Sequence, residues 1–411
     1  IIGKNSGRYM EKIDIPKHWQ VKKLGEVCEI TYGKGLPVKE LTKDGFPVFG
    51  ANGIIGFYNN YLFEEPQVLI SCRGAASGKI NISPTKCFVT NNSLVLHIKE
   101  KNNIDKSYLF YSLTISNKTK LVTGTAQPQV TINNAVELDI PIPPLPEQLA
   151  IVSKIEELLS DLENGKQQLL TAQQQLKVYR QSLLKAAFEG RLTNKVVKDG
   201  ELPEGWKWVK IDSLLFDKKK GMSTGPFGTM LKKSEHQASG VPVLGIENIG
   251  VGTFQMPNKI FITQEKAEEM RNFRVQENDI IISRSGTVGE ICLLPKKMEN
   301  SIISTNLIRV RLNQNVINPK FFVYLFQGGK VRQQVFELCK GSSRAFLNQT
   351  ILNSLDFPYC SLKEQQFVID EIESKLTVCD KIEETISQSL LQAETLKQSI
   401  LKKAFEGKLV P

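Results

Sequence analysis

The chain has 411 residues, 41% apolar and 23% charged, an ordinary balance for a folded protein but too long for a single core, so two or three domains are expected. It carries 53 Lys and Arg against 43 Asp and Glu, and the resulting charge of +10 favours a polyanionic partner such as nucleic acid. No run of 18 apolar residues and no signal peptide occurs, seven scattered cysteines form no CxxC pair, and there are only three histidines; a membrane span, a disulfide framework, a zinc site and a histidine-based triad are not expected, whereas reduced thiols in the cytoplasm are.

In chain order, Ile15-Pro16-Lys17-His18-Trp19 opens a first segment whose pattern returns at Leu202-Pro203-Glu204-Gly205-Trp206. Short apolar runs at Phe46–Phe49, Gln67–Ser71 and Ser93–His97, separated by Gly, Asn and Pro, have the composition of strands. Ser107–Thr114 fits a buried helix and a buried strand equally well. Gly50-Ala51-Asn52-Gly53-Ile54-Ile55-Gly56 has GxxGxxG spacing and lacks the GxGxxG of a dinucleotide loop, so a turn is expected there. Gly74–Ile80 is one residue short of a phosphate-binding P-loop and has Ile where Ser or Thr must meet magnesium.

Ala126-Gln127-Pro128-Gln129-Val130 and the proline-rich Pro141–Pro146 should form a stiff, extended hinge, because proline fixes φ. A long helix is then predicted from Glu147 to Leu192. Ile155, Leu162, Leu169, Leu176 and Leu183 recur every seven residues, with Leu158, Ala172, Tyr179 and Ala186 three further on and only Gly165 weak. Such a seam faces a partner helix, and at about 60 Å the helix cannot bury it alone. Pro146 suits its start and Gly190 its end.

A second copy follows. Val241–Leu244, Asp279–Ser283 and Asn306–Leu312 correspond to the earlier strands, Phe321–Phe326 to the buried segment, and Phe357–Gln365 to the hinge with less proline. Gln398–Leu409 (QSILKKAFEGKL) matches Gln181–Leu192 (QSLLKAAFEGRL) at nine of twelve positions, an internal repeat offset by 217 residues that also relates Glu147-Gln148 to Glu364-Gln365. Ile372, Ile386 and Ile400 take the seam positions of the second helix with Ile382 and Leu396 nearby, and Ser361 with Glu364 should form a capping box. Between the two Trp motifs the offset is only 187, so the second copy has gained about 30 residues in its middle, where variable loops on a shared frame are expected.

The expected organisation is α+β: globules at 1–146 and 193–363, each followed by a long helix, at 147–192 and 364–411, with the helices packed as an antiparallel coiled coil in a pseudo-twofold repeat. No catalytic constellation is found. There is no (N/D)-P-P-(Y/F) segment for amine methylation, and Asp370–Lys375, which faintly resembles a nuclease set, lies on the heptad helix where charges are normally solvated.

Two diverged globules, each followed by a near-identical helix, resemble the specificity subunit of a type I restriction–modification enzyme over essentially the whole chain. The resemblance rests on Pro141–Gln148 with its PPLPEQ, the heptad helices, the ends Ala187–Leu192 and Ala404–Leu409, and the FGANGIIG and Gly124–Pro128 stretches. It implies a non-catalytic chain in which each globule is a target recognition domain reading one half of an asymmetric, bipartite double-stranded DNA site. It also implies helices that hold the domains apart and dock methyltransferase subunits, two of them by expectation, together with restriction and translocase subunits. No cofactor is expected on this chain; S-adenosylmethionine, ATP and Mg would belong to the partners.

Asn and Gln can pair with adenine, Arg with guanine. Loop residues of these types are Asn52, Arg73, Asn91 and Gln127 in the first globule and Arg284, Asn306 and Arg344 in the second. Arg73 and Arg284 stand out because both follow a strand end in matched Ser-(x)-Arg-(x)-Gly contexts. A coiled-coil scaffold with protein-binding globules, and a stand-alone DNA methyltransferase or nuclease, are the alternatives.

Overall fold

The computed structural model describes residues 14–116, 118, 121–124, 127–192, 197, 201–226, 230–339 and 346–410. The chain divides into two compact units, residues 1–169 with 387–411 and residues 170–386.

Unit 1 opens with β1 (Gln20–Lys23), the single turn α1 (Leu24–Val27) and β2 (Cys28–Tyr32). Then come β3 (Phe46–Phe49), β4 (Ile54–Tyr58), β5 (Val68–Ser71), β6 (Ile80–Ile82), β7 (Phe88–Val89) and β8 (Ser93–Ile98). Helices α2 (Lys106–Ile115) and α3 (Ile132–Val136) and strand β9 (Asp139–Ile142) complete the globule. One sheet has the order β2-β8-β5-β6, a second β4-β3-β7, and β1 pairs antiparallel with β9. The run Val68-Leu69-Ile70 is apolar throughout because its sheet is covered on both sides. Successive side chains alternate faces: Val68 and Ile70 pack in the core with Tyr108, Leu109 and Leu113 of α2, while Leu69 packs on Phe49, Val89 and Val95. The segment 107–114, open between helix and strand in the sequence, is helical and capped by Asp105 accepting from Tyr108 N (2.8 Å).

After α4 (Leu145–Phe188), unit 2 repeats this plan. Strands β10 (Lys207–Val209), β11 (Met222–Thr224), β12 (Val241–Leu244) and β13 (Ile260–Ile262) precede helix α5 (Gln264–Glu269). Next come β14 (Ile280–Ser283), β15 (Ile291–Leu293), β16 (Ile302–Ile303) and β17 (Leu307–Val310). Helices α6 (Pro319–Gln327), α7 (Gly329–Cys339) and α8 (Gln349–Ser354), strand β18 (Phe357–Tyr359) and α9 (Leu362–Phe405) follow. The sheet orders β11-β17-β14-β15 and β13-β12-β16 and the pair β10-β18 reproduce those of unit 1. Ile280 and Ile282 face the helical core and Ile281 the opposite one, as Val68, Ile70 and Leu69 do. Somewhat more than half of the added length lies in two places. The turn 50–53 between β3 and β4 becomes the loop 245–259 between β12 and β13, and α5 is inserted before β14.

The repeated motifs occupy equivalent places in the two units. Trp19 Nε1 donates to Glu147 Oε1 (2.9 Å) and Trp206 Nε1 to Glu364 Oε1 (2.7 Å). Next to each glutamate a buried glutamine fastens the helix start. Gln148 donates to the carbonyls of Pro143 (2.9 Å) and Asn103 (3.4 Å) and accepts from Asp105 N (2.9 Å). Gln365 donates to Cys360 O (2.9 Å) and Val316 O (3.2 Å) and accepts from Asn318 N (2.8 Å). At the other end, Phe188 of α4 meets Phe321 in unit 2, ring centroids 5.3 Å apart, and Phe405 of α9 meets Tyr108 in unit 1, also at 5.3 Å. Gly190 (φ +74°) and Gly407 (φ +65°) turn the chain so closely against Pro203 and Pro16 that a Cβ would overlap either ring. The QSxLKxAFEGxL identity is thus a core plug followed by a glycine turn.

Three expectations are corrected. The helices span Leu145–Phe188 and Leu362–Phe405, starting two residues before and ending some residues short of the expected 147–192 and 364–411. Ser361 Oγ does accept from Glu364 N (3.3 Å), but the Glu364 carboxylate accepts from Trp206 instead of closing a capping box. Tyr179 (48% exposed), Ile382 (44%) and Leu396 (50%) are not in the seam. The buried column of α9 is Ile372, Cys379, Ile386, Ala393 and Ile400, one residue per heptad, so the second heptad column lies at the margin of the contact. Within each unit the helix segments run antiparallel. In unit 1, Ile151 and Ile155 share a core with Leu401 and Phe405 while Lys166 pairs with Glu394 (2.7 Å); in unit 2, Phe188 shares a core with Val368 and Ile372 while Arg180 pairs with Asp380 (2.7 Å).

Replacing Gln365 with Ala leaves the Asn318 N–H and the Cys360 and Val316 carbonyls without their partner, and should lower the stability of unit 2 by about 2–4 kcal/mol, read from denaturant unfolding. All seven cysteines are free and buried, and burial pushes the thiols of Cys28, Cys292 and Cys360 from 9.0 up to about 12. The fold holds these protons more tightly than the unfolded chain. Stability should therefore be unaffected below pH 9 and fall as the pH rises from 9 towards 12, measurable as a declining unfolding midpoint.

Candidate nucleic-acid interface

In unit 1 the predicted residues come together in loops at one end of the sheets. The turn bearing Asn52 is held by Ser71 Oγ donating to Ala51 O and by Ser93 Oγ donating to Gly50 O (2.8 Å). Asn91 lies beside it, with Cys72 N donating to Asn92 O (2.9 Å) and Asn91 N to Lys34 O (3.2 Å). Arg73 forms a backbone bridge with Gln129, and Ser77 Oγ donates to Pro128 O (2.7 Å), which brings the Gln127 segment against the Arg73–Gly78 loop. Asn52, Arg73 and Gln127 are exposed and Asn91 is half-buried. Exposed Lys34 and Lys79 add positive charge to the same loops. Arg73 makes no side-chain hydrogen bond or ion pair with a described residue, so its guanidinium is available. Thr125 and Ala126, part of the Gly124–Pro128 stretch, lie outside the described residues.

In unit 2, Arg284 and Asn306 are adjacent: Arg284 N donates to Asn306 O (2.9 Å) and Ser285 Oγ to Asn306 Oδ1 (2.7 Å). Asn306 is exposed. Arg284 is half-buried, its guanidinium stacked 4.1 Å from the centroid of Phe346 with Nη1 donating to Thr305 O (3.4 Å). Burial pushes the Arg284 guanidinium below its ordinary value, and its Nε has no partner among the described residues. Arg344 lies outside the described residues.

The apparent match between Arg73 and Arg284 does not survive in the backbone. Cys72 O accepts from Val130 N and Cys72 N donates to Asn92 O; Arg284 O accepts from Leu347 N and Arg284 N donates to Asn306 O. Arg284 therefore stands at the place of Cys72, and Arg73 at the place of Ser285. Counted from Ser71 and Ser283 to Gly74 (φ +79°) and Gly286 (φ +78°) the spacing is equal, but the arginines are one residue out of register. Successive residues of an extended chain face opposite ways, so one arginine is exposed and the other packed on a ring. Phe346, the counterpart of Gln129 and 37% exposed, escaped the sequence reading. Its signal, an aromatic next to a motif-bearing loop, is a weak one.

Among the described residues no group of three or more His, Cys, Asp or Glu could hold a metal ion, and no helix is long and apolar enough to cross a membrane. Arg73→Ala should leave the unfolding free energy within about 0.5 kcal/mol of wild type. Arg284→Ala, which removes a stacked side chain from Phe346, should cost about 1–2 kcal/mol in the same measurement.

Comparison with known proteins bears on both units. The family described as type I restriction modification DNA specificity domain matches residues 16–172 and 203–392, once in each repeat. The specificity subunit of the type I restriction enzyme EcoKI from Escherichia coli K12 is 27% identical over 431 residues, covering 96% of this chain and 90% of that protein. The EcoBI specificity subunit of Escherichia coli is 24% identical over 426 residues, covering 97% and 87%. The HsdS subunit from Thermoanaerobacter tengcongensis shares the fold with a TM-score of 0.61 at 19% identity, over 98% of this chain and 99% of that one. A chain from a structure of a type I R-M system does so with a TM-score of 0.72 at 19% identity, over 97% and 100%. With family matches over most of its length and in both repeats, the chain belongs to the type I restriction–modification DNA specificity family.

Proposed function

We propose that this chain is the sequence-specificity subunit of a type I restriction–modification complex, with one half of a bipartite DNA site read by each unit. The observation that carries the reading is that two units of identical sheet topology present different side chains at equivalent loop positions. Arg73 stands where unit 2 has Ser285, Cys72 where it has Arg284, and a four-residue turn where it has a fifteen-residue loop. Loops that diverge on an unchanged frame suit two recognition tasks of one kind with different targets. The half-sites therefore differ, and the site is asymmetric.

Residues 1–146 and 193–363 serve as the target recognition domains, and the segments 147–192 and 364–411, filled for most of their length by α4 and α9, as the spacers. Asn52, Arg73, Asn91 and Gln127 contact one half-site, and Arg284, Asn306 and Arg344 the other. The positive net charge supplies phosphate attraction, which positions the chain without carrying sequence information. The chain itself is non-catalytic and takes no cofactor. Methylation with S-adenosylmethionine belongs to methyltransferase subunits, two per chain, docked on the helices; ATP and Mg belong to the restriction and translocase subunits. The complex acts in the cytoplasm.

Bound duplexes selected from a random pool, with the full chain and the methyltransferase encoded beside its gene, should carry a split motif with a fixed gap. Arg73→Ala in the same assay should relax or weaken only the half-site of unit 1, by roughly 1–3 kcal/mol at a base contact. Binding that fades with salt and enriches no motif would leave only phosphate attraction, and the coiled-coil scaffold would be the better description.

A further inference from the structure

A second set of backbone hydrogen bonds aligns the starts of two other loops. Thr90 N donates to Phe49 O (2.9 Å) and Ser304 N to Leu244 O (2.9 Å). Strand β3 pairs in parallel with β7 through Phe49↔Val89, and β12 with β16 through Leu244↔Ile303. Phe49-Gly50-Ala51-Asn52 therefore stands where Leu244-Gly245-Ile246-Glu247 stands. Three residues past the matched strand end stands Asn52 in the tight turn of unit 1 and Glu247 in the single 3-10 turn Ile246–Asn248 of unit 2, and both are exposed.

Glu247 is held in place. The next residue, Asn248, is buried, accepts from Gly245 N (2.9 Å) and donates to Gln255 O (3.0 Å) and Asn258 Oδ1 (3.5 Å), tying both ends of the long loop together. The Glu247 carboxylate lies against the bare Cα of Gly245, where a Cβ would collide with Oε2. Ile246 reaches the loop that carries Arg284: a Cβ on Gly286 would sit 3.2 Å from Ile246 Cδ1. No described residue forms an ion pair with Glu247, although the chain carries a net charge of +10.

We propose that Glu247 is a specificity-determining residue of unit 2 that accepts a hydrogen bond from the exocyclic N4 amino group of a cytosine in the major groove. This rests on the reading of unit 2 as a DNA recognition domain. Phosphates repel a carboxylate, so an acid on a DNA-facing loop contributes to binding where it meets a donor. In the major groove those donors are cytosine N4 and adenine N6. Adenine sets the N7 acceptor beside its amino group, which opposes an acceptor-only carboxylate, whereas cytosine offers the donor alone. Asn52, with an amide at the same distance in sequence from its strand end, suits adenine instead.

The test uses the full chain with its methyltransferase partner and duplexes selected from a random pool, comparing wild type with Glu247→Gln and Glu247→Ala. One position of the unit 2 half-site should change from cytosine, towards adenine with Gln and towards no preference with Ala, while every other position stays. Affinity for the wild-type site should fall about 10- to 100-fold. Unfolding midpoints equal to wild type would show that the fold is intact. A second variant, Gly245→Ala, displaces the carboxylate without removing it and should weaken the same position alone. A wild-type split motif that neither Glu247 variant alters, or a loss spread evenly over all positions, overturns the assignment. Absence of any motif with wild type overturns the underlying reading, and this assignment with it.

Discussion

The organisation of each unit depends on one buried side chain at the start of a helix. Gln148 and Gln365 each take an N–H from the loop before a buried helix and give their own amide hydrogens to two carbonyls, so three strands of chain are fixed by one residue. A helix start leaves backbone groups without partners, and burying such an end without compensation is costly. Here the glutamine supplies the compensation, and the neighbouring glutamate binds the tryptophan that opens the unit. The direction in which each long helix leaves its globule is set by this pair. A Pro-rich approach in one copy and a Ser-capped one in the other are compatible with the same exit because the fastening lies after them.

With the frame fixed in this way, the loops between strands are free to differ. A central strand buried on both faces cannot change length without sending its side chains to the wrong side, and Val68–Ile70 and Ile280–Ile282 are accordingly alike. The connection between β12 and β13 faces no such constraint. It has grown, and it has recruited an internal amide brace at Asn248 in place of the serine clamps that hold the shorter turn of unit 1. The two connections are braced by different means, and bracing is what a recognition loop requires if its side chains are to meet a partner without a large loss of conformational freedom.

Much of this was legible in the sequence. The repeat, the two helices and the strands rest on periodicity and near-identity, signals that survive divergence because core packing demands them. The family resemblance followed from their arrangement. What was not legible follows from geometry that no linear pattern contains. Tyr179, Ile382 and Leu396 obey the heptad but lie at the edge of the contact, where one column of α9 is buried and the second is not. The pairing of Arg73 with Arg284 was suggested by equal spacing of Ser and Gly, and only the backbone hydrogen bonds reveal the shift of one residue. Glu247 carries no signal of its own because an acid is not an expected DNA contact, although FGAN and LGIE are readable as a pair once the strands before them are aligned.

Unit 1 is assembled from both extremes of the described chain. Leu401, Ala404 and Phe405 belong to the same core as Trp19 and Tyr108, and Gly407 rests on Pro16. Its core is therefore unfinished when Ile142 has been made, and it waits until all of unit 2 has left the ribosome. During that interval Tyr108 and its neighbours lack the aromatic ring that covers them, and unit 2, whose own plug Phe188 precedes it in the chain, meets no such delay. Synthesis order and completion order are reversed. A ribosome that stops within α9 after Ile386 would release a chain whose damage lies at the opposite end from its missing residues, in the domain translated first.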